Sequence, residues 1–211
     1  MYLARFSCVH IGGLSSNQTA FLESQPIQKI QQVSRRTLSG LPVQLVLPVA
    51  LAMFTGLRQG DVLSLRKNAV RDGRIWRVTS KTGQQVSLPI HPDLASIIAS
   101  APEHDAITLT ATSSGTPWTS DGFKASFRRA MQRLERDGKV GAGITFHGLR
   151  HTVGTLLIEA GVDLDVVRRW LGHRTLAMAI HYSEQANASQ QLSGAVLKFD
   201  PLGSKPGTST V

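Results

Sequence analysis

The sequence predicts a mainly α-helical domain carrying one small antiparallel β-hairpin sheet, and three observations predict it. Phe123, Phe127, Ala130, Met131 and Leu134 recur at helical spacing. Two period-two runs flank a Lys81-Thr82-Gly83 turn. Three short helical patterns, bounded by cap residues and glycines, follow one another from His147 to Tyr182.

Each element has its own reason. Residues 45–54 are apolar on most sides and read as a buried helix, with Pro48 accommodated in its first turn and Thr55-Gly56 ending or bending it. Ile75, Trp76 and Val78, then Val86, Leu88 and Ile90, form the two arms of a hairpin with Lys81 at its tip. On the helix from Phe123, Lys124, Arg128, Arg129, Arg133 and Arg136 occupy other faces, a surface that is either solvated or laid on phosphates. A helix over 147–160 ends at Gly161; Asp163 caps a second that runs to Leu171 and stops at Gly172; Thr175 caps a third that contains Tyr182. The ends are plainer. Residues 1–40 read as a partly flexible lead-in, 41–199 as the folded domain and 200–211 as a disordered tail. Leu192, Val196, Leu197 and Phe199 lie near helical spacing and complete the domain's own core or dock on a neighbour.

The chain of 211 residues, 41% hydrophobic and 18% charged, has the composition of a globular protein and enough length to bury a core. Twenty-three basic against 14 acidic side chains leave a formal charge of +9, which points to a polyanionic partner, nucleic acid before a membrane surface. The ten apolar residues 45–54 are too few to span a bilayer, and Arg5 and His10 interrupt any signal-peptide core. A single cysteine, Cys8, rules out an internal disulfide and a multi-cysteine zinc site, and fits a reducing intracellular compartment, the cytoplasm.

Single residues say little by themselves. His147 and Arg150 are three apart, so both project from one helix face and reach one anion, yet a capped helix with a satisfied histidine shows the same pair. Arg58 follows a break in an apolar segment, with Asp61 placed three residues on to hold its guanidinium; many such pairs are plain salt bridges. His173 sits after Gly172 where backbone is exposed, and Tyr182 lies nine residues beyond it. The joint pattern says more: TGLRQGD, SKTG, HGLRH, LGH and HYS occur in that order with compatible gaps over about residues 40–190. Together they resemble the tyrosine recombinase (phage integrase) family, whose catalytic domain is the α+β fold implied here.

The resemblance implies that Arg58 is the first catalytic arginine, Lys81 the hairpin lysine, His147 with Arg150 the H-x-x-R pair, His173 the residue after the Leu-Gly turn and Tyr182 the nucleophile, with Asp61 supporting Arg58. It implies double-stranded DNA as partner, a tetramer on DNA and a bacterial or phage source. Lys124, Arg128, Arg129 and Arg133 are the candidate phosphate contacts. The chemistry follows from the groups. A tyrosine oxygen that attacks a phosphodiester conserves the bond energy as a phosphotyrosine and frees a 5′ hydroxyl, so no nucleotide is needed and no cofactor is expected. Forming phenolate at neutral pH costs about 4 kcal/mol, and His147 is the candidate base. Arg58, Arg150 and His173 supply fixed donors where a metal ion would otherwise act, and Lys81 supplies the proton for the leaving oxygen.

The pattern departs from the family in one respect, and three rivals stand beside it. Only 57 residues precede Arg58, so the separate DNA-binding domain usual in the family is expected to be absent, and a DNA-binding relic without recombination activity is the alternative. His147 and His151 share the spacing of a zinc H-E-x-x-H motif, but Gly148 stands where its glutamate belongs. A topoisomerase of type IB would share the chemistry without exchanging partners.

Overall fold

A computed structural model describes residues 37–180. Tyr182, the lead-in up to residue 36, the 186–198 segment and the tail lie outside the described residues.

The chain runs α1 (Val43–Thr55), α2 (Gln59–Leu63), a short 3-10 helix (Lys67–Ala69), β1 (Val70–Arg71), β2 (Arg74–Val78), β3 (Gln85–Pro89), α3 (Pro92–Ala99), α4 (Ser120–Arg136), α5 (Phe146–Glu159) and α6 (Leu164–Leu171). The sheet is antiparallel in the order β1-β2-β3, with Ile75 opposite Leu88 and Trp76 opposite Ser87. The hairpin stands as expected. The two-residue strand β1 pairs with β2 through Val70 and Ile75, an edge too short to leave a period-two signature. α3 also went unread; it is begun by His91, whose Nδ1 accepts from Asp93 N–H at 3.1 Å. No helix of the described residues is long and apolar enough to cross a membrane.

Helix α1 is the centre of the core, with Leu45, Val49, Ala50, Leu51 and Ala52 all but inaccessible. Pro48 lies in its second turn rather than its first, where it offers no N–H to the Gln44 carbonyl. Around α1 pack Leu57, Val62, Ile75 and Leu94 and the apolar stripe of α4, whose five spaced residues are all buried. The rings of Phe123 and Phe146 meet edge to face at 5.0 Å and tie α4 to the start of α5. A second cluster of Val153, Leu157, Val167 and Leu171 joins α5 to α6.

Two glycines let these layers close. Gly56 ends α1 at φ 66°, and a Cβ there would lie 2.6 Å from Leu171 Cδ2. Gly172 ends α6 at φ 62°, and its Cβ would lie 2.8 Å from Thr79 Cγ2 and 2.9 Å from Val86 Cγ2 on the hairpin. Each site needs both the left-handed backbone and the missing side chain. They set the turns that carry Arg58 and His173.

Candidate active site

Arg58 is the N-cap of α2, in extended conformation, and its Nη1 is buried with no hydrogen-bond partner. Asp61, one turn into α2 and fully buried, was expected to hold that guanidinium; it does not. Its Oδ1 accepts from Arg77 Nη2 at 3.1 Å and from Ser80 N–H at 2.9 Å. The α2 backbone carries the carboxylate away from its own N-cap and toward β2, so Asp61 ties α2 to the base of the hairpin and leaves Arg58 Nη1 without a partner among the described residues. Arg77 also donates to Ser64 Oγ at 2.7 Å, which fixes its fork.

Arg150 is almost wholly buried, unlike the surface arginine of the plain reading. Its Nη1 donates to the Gly56 carbonyl at 2.7 Å and its Nη2 to the Leu171 carbonyl at 2.5 Å. One planar guanidinium therefore bridges the turn before Arg58 and the turn before His173, a task that suits its rigid fork. Trp170 adds a parallel tie, donating from Nε1 to the Thr55 carbonyl at 3.1 Å.

His173 was expected where backbone is exposed, and is instead buried. Its N–H donates to the Arg168 carbonyl at 2.8 Å, closing the turn after α6. Burial first, then the positive charges of Arg150, Arg58 and His151, hold its imidazole down to about 4 from 6.5. At pH 7 the ring is neutral and donates from one nitrogen only. Arg58 and Arg150, 92 positions apart in the chain, thus both bear electrostatically on this one ring, after burial.

Lys81 is exposed at the hairpin tip. The tip is closed by Thr79 N–H to the Gln84 carbonyl and Gly83 N–H to the Thr79 carbonyl, each 2.9 Å. His147 is exposed on the first turn of α5, whose N-cap Thr145 accepts from Gly148 N–H at 2.9 Å. The rings of His147 and His151 meet edge to face at 4.9 Å, and among the described residues no third ligand-type side chain joins them.

The basic residues of α4 divide between two grooves. Lys124 and Arg128 line an open groove of about 460 Å³ that reaches His147 and Gln59. Arg129 and Arg133 line another, of about 1050 Å³, against the start of α1, and Arg133 Nη2 donates to the Gly40 carbonyl at 2.6 Å. Nine positions along a helix is about half a turn round it, so Lys124 and Arg133 face opposite ways.

Spacing alone did not reveal Arg77, Thr82 or Gln59. Gln59 Nε2 donates to the Ser120 carbonyl at 3.2 Å and so holds the start of α4 beside Arg58. Thr82 carried one signal, a hydroxyl at a hairpin tip, where such side chains commonly bond backbone.

The pattern that defines the Phage integrase family matches residues 20–189. The tyrosine recombinase XerD of Caulobacter vibrioides is 27% identical over 195 residues, 88% of this chain and 63% of its own length. A lambda integrase dimer bound to a COC' core site superimposes with a TM-score of 0.59 at 22% identity, over 85% of this chain and 61% of that one. The lambda integrase catalytic core superimposes with a TM-score of 0.54 at 25% identity, over 68% of this chain and 90% of the core. The chain thus spans less than two thirds of the XerD relative's length. With the Arg58, Arg150 and His173 turns all inside the matched segment, the chain belongs to the phage integrase family, the tyrosine recombinases.

Proposed function

We propose that residues 41–199 form the strand-transfer domain of a site-specific DNA recombinase of a bacterium or phage, acting in the cytoplasm as a tetramer on two duplexes. The observation that carries this reading is the charge held between two turns. Arg58 keeps a buried, unpartnered donor, and its charge and that of Arg150 bear on one neutral histidine. An unsatisfied buried donor costs stability, and the unpartnered Nη1 of Arg58 suits a visiting anion. A phosphodiester is that anion in a DNA-binding relative.

The roles follow from the groups. Arg58, together with Arg150, holds the non-bridging oxygens, and His173 adds one bond. Tyr182 attacks phosphorus; the phosphorus–O5′ bond breaks as the phosphotyrosine forms; His147 takes the phenol proton and Lys81 gives one to the departing oxygen. These cations stand where a metal would act, and the ester conserves the energy of rejoining, so neither metal nor ATP enters the cycle. Asp61 serves by fixing the hairpin through Ser80. Lys124 and Arg128, beside His147, contact the adjoining phosphates, while Arg129 and Arg133 touch the backbone farther along.

The test is a covalent-adduct assay on nicked duplexes tiled across the DNA that borders the gene. A protein–DNA adduct that survives denaturant is expected with the wild type and not with Tyr182→Phe. Binding without any adduct across the set would favour a DNA-binding relic.

A further inference from the structure

We propose that Thr82 is a positioning residue that sets the Lys81 tip of the hairpin against the turn carrying His173; this rests on reading Lys81 as the leaving-group acid. Lys81 is flanked by two anchors from different parts of the fold. On one side Ser80 N–H donates to Asp61 on α2, the helix that Arg58 caps. On the other, Thr82 Oγ1 donates to the Gly172 carbonyl at 2.9 Å, one residue before His173.

The hydrogens fix a direction. A hydroxyl has one proton, and Thr82 gives its own to Gly172. The Thr79 proton then has two acceptors in reach, Thr82 Oγ1 at 2.6 Å and the Gln84 carbonyl at 3.3 Å, and the shorter contact takes it, while Thr79 Oγ1 accepts from Gln84 N–H at 3.2 Å. A relay therefore runs from the Gln84 amide through Thr79 and Thr82 to the Gly172 carbonyl, and its members polarise one another. Close packing supports it, because Thr79 and Val86 occupy the space a side chain at Gly172 would need. The hairpin tip and the His173 turn are one unit, joined through a threonine beside the lysine rather than through the lysine itself.

Thr82→Val removes the hydroxyl at nearly constant volume, and Thr82→Ser restores it. In amide hydrogen exchange on the free protein, Thr82→Val is expected to speed exchange at Gly83 and Gln84 about 5–10-fold, and Thr82→Ser to stay near wild type. Cleavage separates positioning from general damage. On a nicked duplex with the ordinary 5′ oxygen, the proton from Lys81 is needed as the phosphorus–oxygen bond breaks; with a bridging 5′ sulfur the thiolate leaves unprotonated. Thr82→Val is expected to lose about tenfold on the oxygen substrate and to approach wild type on the sulfur one, as Lys81→Ala does, with Thr82→Ser active on both. Unchanged exchange in Thr82→Val, or an equal loss on both substrates, would overturn the proposal. If wild type forms no adduct on either substrate, the function proposed above fails, and the exchange result still decides whether Thr82 clamps the hairpin.

Discussion

Replacing Arg150 with alanine is expected to lower folding stability by about 2–5 kcal/mol, read as an earlier midpoint in urea denaturation. The loss comes from what the side chain satisfies. Gly56 and Leu171 present carbonyls that receive their bonds from the two ends of one guanidinium. Each residue is buried, so neither carbonyl has water to turn to when the guanidinium goes. Leaving each acceptor unpaired costs roughly 1–3 kcal/mol, and the vacated volume adds to that. Arg150→Lys is expected to fall between, because an ammonium reaches one carbonyl and lacks the planar fork that spans both. A midpoint within error of wild type for Arg150→Ala would mean that the two turns are held by something else.

Arg58→Ala is expected to do the opposite. Its Nη1 makes no bond that folding would lose, so stability should hold within about 0.5 kcal/mol or rise. Adduct formation should fall about 10²–10³-fold, roughly 3–4 kcal/mol of transition-state stabilisation, because a donor aligned with the developing charge is gone. Denaturation and single-turnover cleavage on the same two preparations check the pair of expectations. Equal damage to stability from both substitutions would erase the distinction between an arginine that builds the site and one that waits for substrate.

Much of this arrangement was legible in the sequence where the cause is local. The five apolar positions of α4 mark a buried stripe because a helix repeats every 3.6 residues, and all five are buried. Asp163 was readable as a cap, and its side chain accepts from Asp165 N–H at 2.8 Å. Gly56 and Gly172 were readable as helix ends because the left-handed backbone favours glycine. What spacing could not supply is the partner. Asp61 stands three residues from Arg58, yet it pairs with Arg77, 16 residues away, because strand β2 brings that guanidinium past the buried carboxylate. His173 was read as lying by exposed backbone, and its burial depends on the hairpin packing over Gly172, a contact between segments some 90 residues apart. The short strand β1 and helix α3 were missed for want of a pattern long enough to repeat. Family resemblance named the site residues; only the fold shows that Arg150 also holds two turns together and that Asp61 ties α2 to the hairpin.

If Arg58 and Arg150 converge with His173 on the place of one phosphate, the titration of the His173 ring reports it most directly. Followed by NMR in the free protein, the ring is expected to stay neutral down to about pH 4, held there by burial and then by the two arginines. Saturating inorganic phosphate brings negative charge that offsets the arginines and favours the imidazolium, so the midpoint should rise by about one unit or more, with tighter phosphate binding at lower pH. Arg58→Ala should raise the midpoint without phosphate and blunt the further rise. A midpoint that neither phosphate nor Arg58→Ala moves would contradict the account.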